Sequence, residues 1–153
     1  MKFRNLSIWI LIVTLGSFVT TPAFAIGSLK SNSKVCTDLK NQLYREQAIV
    51  NELIKQTKRD SRAFVNGSGF ATTAASSVKT YLVSEINMIK IALKKSSCFT
   101  PAKVAAVRSR LTETSELYKL FGKIDINSSG MKTALKAFSD IEASNFAKLL
   151  YQN

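Results

Sequence analysis

Residues 35–64, VCTDLKNQLYREQAIVNELIKQTKRDSRAF, decide the fold. At an advance of about 100° per residue, Val35, Leu39, Leu43, Val50, Leu53 and Phe64 fall on one arc. Lys55, Lys58, Arg59 and Arg62 fall nearly opposite. One face suits burial and the other suits water or an acidic partner, so the stretch reads as a long amphipathic helix. Cys36 stands near its start, and Cys98 falls where a returning antiparallel helix would end. The spacing therefore predicts a Cys36–Cys98 disulfide clamping a helical hairpin.

Working outward, Ser33 can cap this helix, and Asn66-Gly67-Ser68-Gly69 should stop it. Its last turns hold the basic quartet, favourably placed against the negative end of the macrodipole. Residues 70–77, low in bulk and charge, fit either a flexible loop or the close-packed start of a second helix. From there Val78, Tyr81, Leu82, Ile86, Ile89 and Leu93 share a face, and Lys90, Lys94 and Lys95 gather toward its end. Thr100-Pro101 is a strong start signal, a cap followed by proline at the first helical position. The third helix turns Val104, Val107, Leu111, Tyr118 and Phe121 inward and stops at Gly122. After a cap at Asn127-Ser128-Ser129, a last helix buries Met131, Leu135, Phe138, Ile141 and Leu149 and ends near Tyr151. Strand signals are weak throughout. The expected fold is all-α, an antiparallel up-down-up-down four-helix bundle clamped by one disulfide.

Ahead of this lies a targeting pattern. Lys2 and Arg4 precede an apolar run from Leu6 to Val19, and Ala23-Phe24-Ala25 supplies the small residues that a signal peptidase reads. Residues 1–25 are expected to be a cleavable signal peptide, and 26–153 a single helical-bundle domain, periplasmic or secreted. The run is shorter than the about 20 residues of a comfortable membrane span, so no transmembrane anchor is expected after cleavage. The chain carries 22 Lys and Arg against 10 Asp and Glu. Losing Lys2 and Arg4 leaves about +10. Two cysteines in an oxidising compartment favour a structural bridge, and the Cys-x-x-Cys spacing of redox enzymes is absent. Closing a loop of about 60 residues stabilises a fold by roughly 4 kcal/mol on chain-entropy grounds.

The chain has no histidine, which removes imidazole as general base, zinc ligand or haem ligand. Bridged cysteines remove thiolate chemistry. Gly67-Ser68-Gly69 does not complete a phosphate-binding loop and follows a helix rather than a strand. These eliminations point away from an enzyme and from any cofactor. Outside the cytoplasm a basic excess favours an acidic protein, an anionic envelope polymer or a lipid surface. The cations are not interleaved with aromatics, which argues against nucleic acid. Lys55, Lys58, Arg59 and Arg62 are the candidate partner-binding residues; a plain solvated face is the competing reading. A toxin-neutralising immunity protein or an envelope-complex component would look like this, by analogy of class alone.

A second reading concerns Glu46, Glu85 and Glu142, each within the apolar arc of its own helix. The register set by a Cys36–Cys98 bridge brings all three, with Thr114, to about one height. A polar layer of this kind could bind a small ligand or a calcium or manganese ion through oxygen ligands. The simpler alternative is that each glutamate sits at the edge of its stripe and reaches solvent.

Overall fold

The computed structural model describes residues 33–151. The expected signal peptide, residues 1–25, and its cleavage point at Ala25–Ile26 lie outside the described residues. The described chain is helical without strands: α1 (Lys34–Val65), α2 (Ala71–Lys94), a 3-10 turn (Ser96–Cys98), α3 (Pro101–Gly122), α4 (Ser129–Phe138) and α5 (Phe146–Tyr151).

The helix boundaries follow local chemistry. Ser33 accepts the Cys36 amide, Thr100 the Lys103 amide, and Ser128 the Met131 amide, each satisfying a donor with no partner inside its helix. Pro101 occupies the first turn of α3, where a missing N–H costs nothing. α1 ends in a Schellman arrangement: the Gly67 amide donates to Phe64 and the Ser68 amide to Ala63. Gly67 takes φ +79°, a conformation in which a Cβ is strained. Gly69 serves differently, since a Cβ there would come within 3.0 Å of Ala63 Cβ and 3.1 Å of backbone.

Cys36 and Cys98 form the disulfide, with Cα atoms 5.5 Å apart across a separation of 62 residues. It clamps α1 to the far end of α2, as the hairpin register predicts. Residues 71–77, open between two readings in the sequence, are the first turns of α2. Ala74, Ala75 and Ser77 are buried there, and their small size allows a close approach to α1. At that approach Thr57 Oγ1 donates to the Ser77 carbonyl at 3.1 Å, and Ser77 Oγ donates to Asp60 at 2.5 Å.

α2 lies at the centre, packed along α1 and α3 and touching α4, while α4 and α5 lie on α1. Leu43, Val50, Leu82, Met88, Ile89, Leu117, Phe121, Leu135 and Phe138 are essentially without solvent contact. Phe138 meets Phe121 and Tyr81 edge-on, with ring centroids 5.6 and 6.5 Å apart. The buried stripe of α1 differs in part from the predicted arc. Val35 is 51% exposed, and the stripe continues beyond Val50 through Ile54, Thr57 and Ser61.

The largest difference lies in the last helix. A continuous helix to Tyr151 is expected from the apolar spacing, but α4 ends at Phe138 and α5 begins at Phe146. The break leaves Ile141 half-buried and Leu149 exposed. Its cause is tertiary: α1 side chains take over backbone partners that a continuous helix would use for itself. Arg62 donates to the Ser139 carbonyl at 2.9 Å, Asn51 Oδ1 accepts the Ser144 amide at 2.7 Å, and Gln47 Oε1 accepts the Ala147 amide at 2.7 Å.

Candidate functional site

The three glutamates of the proposed polar layer are placed in three different settings. Glu85 is fully buried, Glu46 is half-buried and Glu142 is exposed in the break between α4 and α5. Among the described residues no group of three Asp, Glu, Cys or His side chains could hold a metal ion. The layer is therefore not assembled. Thr114, expected at the same height, is buried, with no hydrogen-bond partner for its hydroxyl.

Glu85 is instead the centre of a buried charged cluster. Tyr81, one helical turn earlier on α2, donates its hydroxyl to Glu85 Oε2 at 2.5 Å. Arg110 of α3 donates to Glu85 Oε1 through Nε at 3.1 Å and also through Nη2. The Arg110 side chain stays 22% exposed, so its head sits where the α2–α3 interface meets water. Burial, and then the Glu85 charge and hydrogen bond, raise the Tyr81 phenol well above its ordinary value, against the opposing pull of Arg110. Desolvation works against the Arg110 charge, but Glu85, with smaller contributions from Tyr81 and Glu113, holds the guanidinium above its usual range. Arg110 was legible in one respect: it lies three residues after Val107 and four before Thr114, on the buried stripe of α3.

The basic quartet is divided by the structure. Lys55 pairs with Glu52 at 2.7 Å on the open surface, and Arg59 reaches its neighbour Asp60 at 3.4 Å. Arg62 holds the Ser139 carbonyl and lies 3.2 Å from Asp140, so it closes the C-terminus of α4. Lys58 is half-buried and takes part in none of the ion pairs of the described residues.

A second set of contacts gathers around the C-terminal segment. Lys103 donates to the Leu150 carbonyl at 2.7 Å, capping α5, and partial burial lowers its ammonium from the ordinary lysine value. Tyr151 stacks near Tyr44 and meets Phe99 edge-on, at 6.5 and 5.5 Å, with the Lys40 ammonium 5.6 Å from its ring. Its buried hydroxyl has no partner. Burial, with a smaller push from Tyr44, moves this phenol up to about 12. These contacts tie the C-terminal segment to α1, α3 and the turn between α2 and α3.

Among the described residues, two surface depressions bear on binding. One, of about 410 Å³, is wide, uncharged and lined by Gln56, Thr72, Thr73, Ser76 and Ser77. The other is a cleft of about 300 Å³ between α2 and α3. Val83, Ile86 and Tyr118 give it an apolar lining, and each helix contributes one lysine, Lys90 and Lys119. Asn87 and Ser115 complete it. Val83 is 40% and Tyr118 38% exposed, so two large apolar side chains from neighbouring helices share this cleft with water. Neither lysine belongs to any ion pair of the described residues. No family model, curated protein or solved structure matches the chain.

Proposed function

We propose that this chain is an exported protein of the cell envelope, periplasmic or secreted, that binds an acidic macromolecule through its cationic surface. In this reading it keeps the four-helix, up-down-up-down course, with a last arm in two pieces, after loss of residues 1–25. Export is supported by the leader pattern of the sequence and by a disulfide, a bond that persists in oxidising compartments. The observation that carries the binding reading is the charge distribution of α2. Its single acidic residue, Glu85, is fully buried, so every charge on the solvent face of that helix is a cation, Lys79, Lys90 and Lys94. A role like that of an immunity protein or an envelope-complex component fits this surface by class alone.

The test uses the exported protein immobilised and exposed to envelope extracts and to defined acidic proteins. The expected result is an acidic macromolecule retained at low salt and released as exposed charges are screened, over about 8 Å at physiological ionic strength. Lys55→Glu, Lys58→Glu and Arg59→Glu together measure the share of the basic end, with Arg62 left in place because it holds α4. Equal retention of acidic and basic proteins, unaffected by salt, would overturn the reading.

A further inference from the structure

We infer that the cleft between α2 and α3 is a docking groove for an acidic amphipathic helix of a partner protein. The inference rests on the acidic-partner reading above and assigns it a place. A groove between two antiparallel helices is a natural seat for a third, which lays apolar anchors spaced at i, i+3 or i+4, and i+7 along it. Val83, Ile86 and Tyr118 offer the apolar contact, and Tyr118 adds a rigid ring with a polar tip. α3 packs broadly on α2 alone, so the outer side of their junction is not filled by another helix of the described chain.

Charge selects the occupant. Lys90 and Lys119 flank the cleft from opposite helices, and no carboxylate lines it: Glu85 is buried, and Glu113 and Glu116 of α3 are not among its residues. A helix seated there must bring acidic side chains on both flanks of its apolar stripe. A second copy of this chain would set cations against cations, given a net charge of +12 for the full chain and about +10 without residues 1–25. Residues 1–32 of the chain contain Lys2, Arg4 and Lys30 and no Asp or Glu, so they do not match either. An acidic partner helix is the occupant that satisfies both the apolar lining and the two lysines.

The test is titration of the intact, disulfide-bonded protein with a labelled synthetic helix of roughly 18 residues, with leucines at the anchor spacing and glutamates flanking them. A counterpart with lysine in place of every glutamate is the control. Fluorescence anisotropy should show the acidic helix bound at least about tenfold more tightly than the basic one. Lys90→Glu with Lys119→Glu should invert that preference, and Val83→Ser with Tyr118→Ser should weaken the acidic helix about fivefold or more while circular dichroism stays unchanged. Equal affinity for the two helices would overturn the groove, as would acidic-helix binding that survives the Lys90→Glu, Lys119→Glu exchange. Should binding fall instead in the Lys55→Glu, Lys58→Glu, Arg59→Glu variant, the groove fails while the acidic-partner reading stands. Retention of phosphatidylglycerol vesicles without any binding of the acidic helix would overturn the groove in favour of a lipid surface. Loss of all salt-sensitive binding to acidic macromolecules would bring down the underlying reading as well.

Discussion

Replacing Arg110 with methionine should be among the costliest single changes outside the apolar core. Methionine keeps much of the stem packing but removes the cation that faces Glu85, leaving a fully buried carboxylate with only the Tyr81 hydroxyl. Breaking a buried ion pair from one side costs about 3–5 kcal/mol, and the partial exposure of Arg110 argues for the lower end. For a chain of this size that is a fall in melting temperature of about 10–15 °C. Glu85→Gln should cost less, about 1–2 kcal/mol, for two structural reasons. Glutamine can still accept the Tyr81 hydroxyl, and the Arg110 head can turn outward to water, which Glu85 cannot do. The double variant, Glu85→Gln with Arg110→Met, should therefore melt above Arg110→Met alone, because it no longer contains an uncompensated charge. Far-ultraviolet circular dichroism at neutral pH on the four proteins completes the cycle. An Arg110→Met variant melting within about 3 °C of the parent would refute this account. A double variant whose loss equals the sum of the singles would do so too.

Intact mass of the protein purified after expression with residues 1–25 in place should show a chain beginning at Ile26 without alkylatable thiols until reductant is added; two free thiols, or a mass retaining residues 1–25, contradicts the proposed export and the disulfide. Cys36→Ser with Cys98→Ser should cost about 4 kcal/mol, read as a lower denaturation midpoint at unchanged far-ultraviolet spectrum. Gln47→Ala and Asn51→Ala each remove an acceptor from the backbone of the final segment, and each should cost about 1–2 kcal/mol. Hydrogen exchange should then quicken at Ser144, Ala147 and their neighbours, and unchanged rates there would show that those two bonds do not hold α5. At high pH, the folded protein keeps protons on Tyr81 and Tyr151 where unfolded phenols release theirs. Their stabilising contribution is complete below about pH 10 and is lost as pH rises from there through about 12 for Tyr151 and beyond for Tyr81. Melting temperatures across that window should fall less steeply for Tyr151→Phe, which removes one of the two groups; identical slopes would refute the burial of that hydroxyl.

Local chemistry made much of the fold legible. Ser33, Thr100-Pro101, Ser128 and the Gly67–Gly69 turn mark helix ends through backbone bonds that span a few residues, and sequence spacing encodes such bonds directly. The disulfide followed because a hairpin has only one sensible register for two cysteines near its open end. The interruption after Phe138 was not read, because no proline or glycine announces it. The signal that exists is weaker: Ser139, Asp140, Ser144 and Asn145 crowd a seven-residue stretch with side chains that compete for backbone bonds. What fixes the break is the arrival of Gln47, Asn51 and Arg62 from about 80 to 100 residues away, which no local pattern records. The glutamates illustrate the same limit. Helical phase puts all three near an apolar arc, but among the described residues only Glu85 has a cation, Arg110, paired to it from the facing helix to make burial tolerable. The α2–α3 cleft is likewise invisible in the sequence, since helical phase turns Tyr118 inward and it takes the packed helices to show it 38% exposed.

The bonds that hold the two-piece last arm also bear on how fast the chain can reach this structure. Helical proteins usually fold quickly because most of their contacts join residues close in sequence. Here Gln47 meets Ala147 across 100 residues and Asn51 meets Ser144 across 93, so the closure of α5 is a long-loop event in an otherwise local topology. The α1–α2 hairpin can form early from its own neighbours, whereas α5 has only six residues and little reason to be helical before it docks. Its contacts should therefore form late and open first, so changes at Gln47, Asn51 or Lys103 should chiefly speed unfolding and leave the refolding rate nearly untouched.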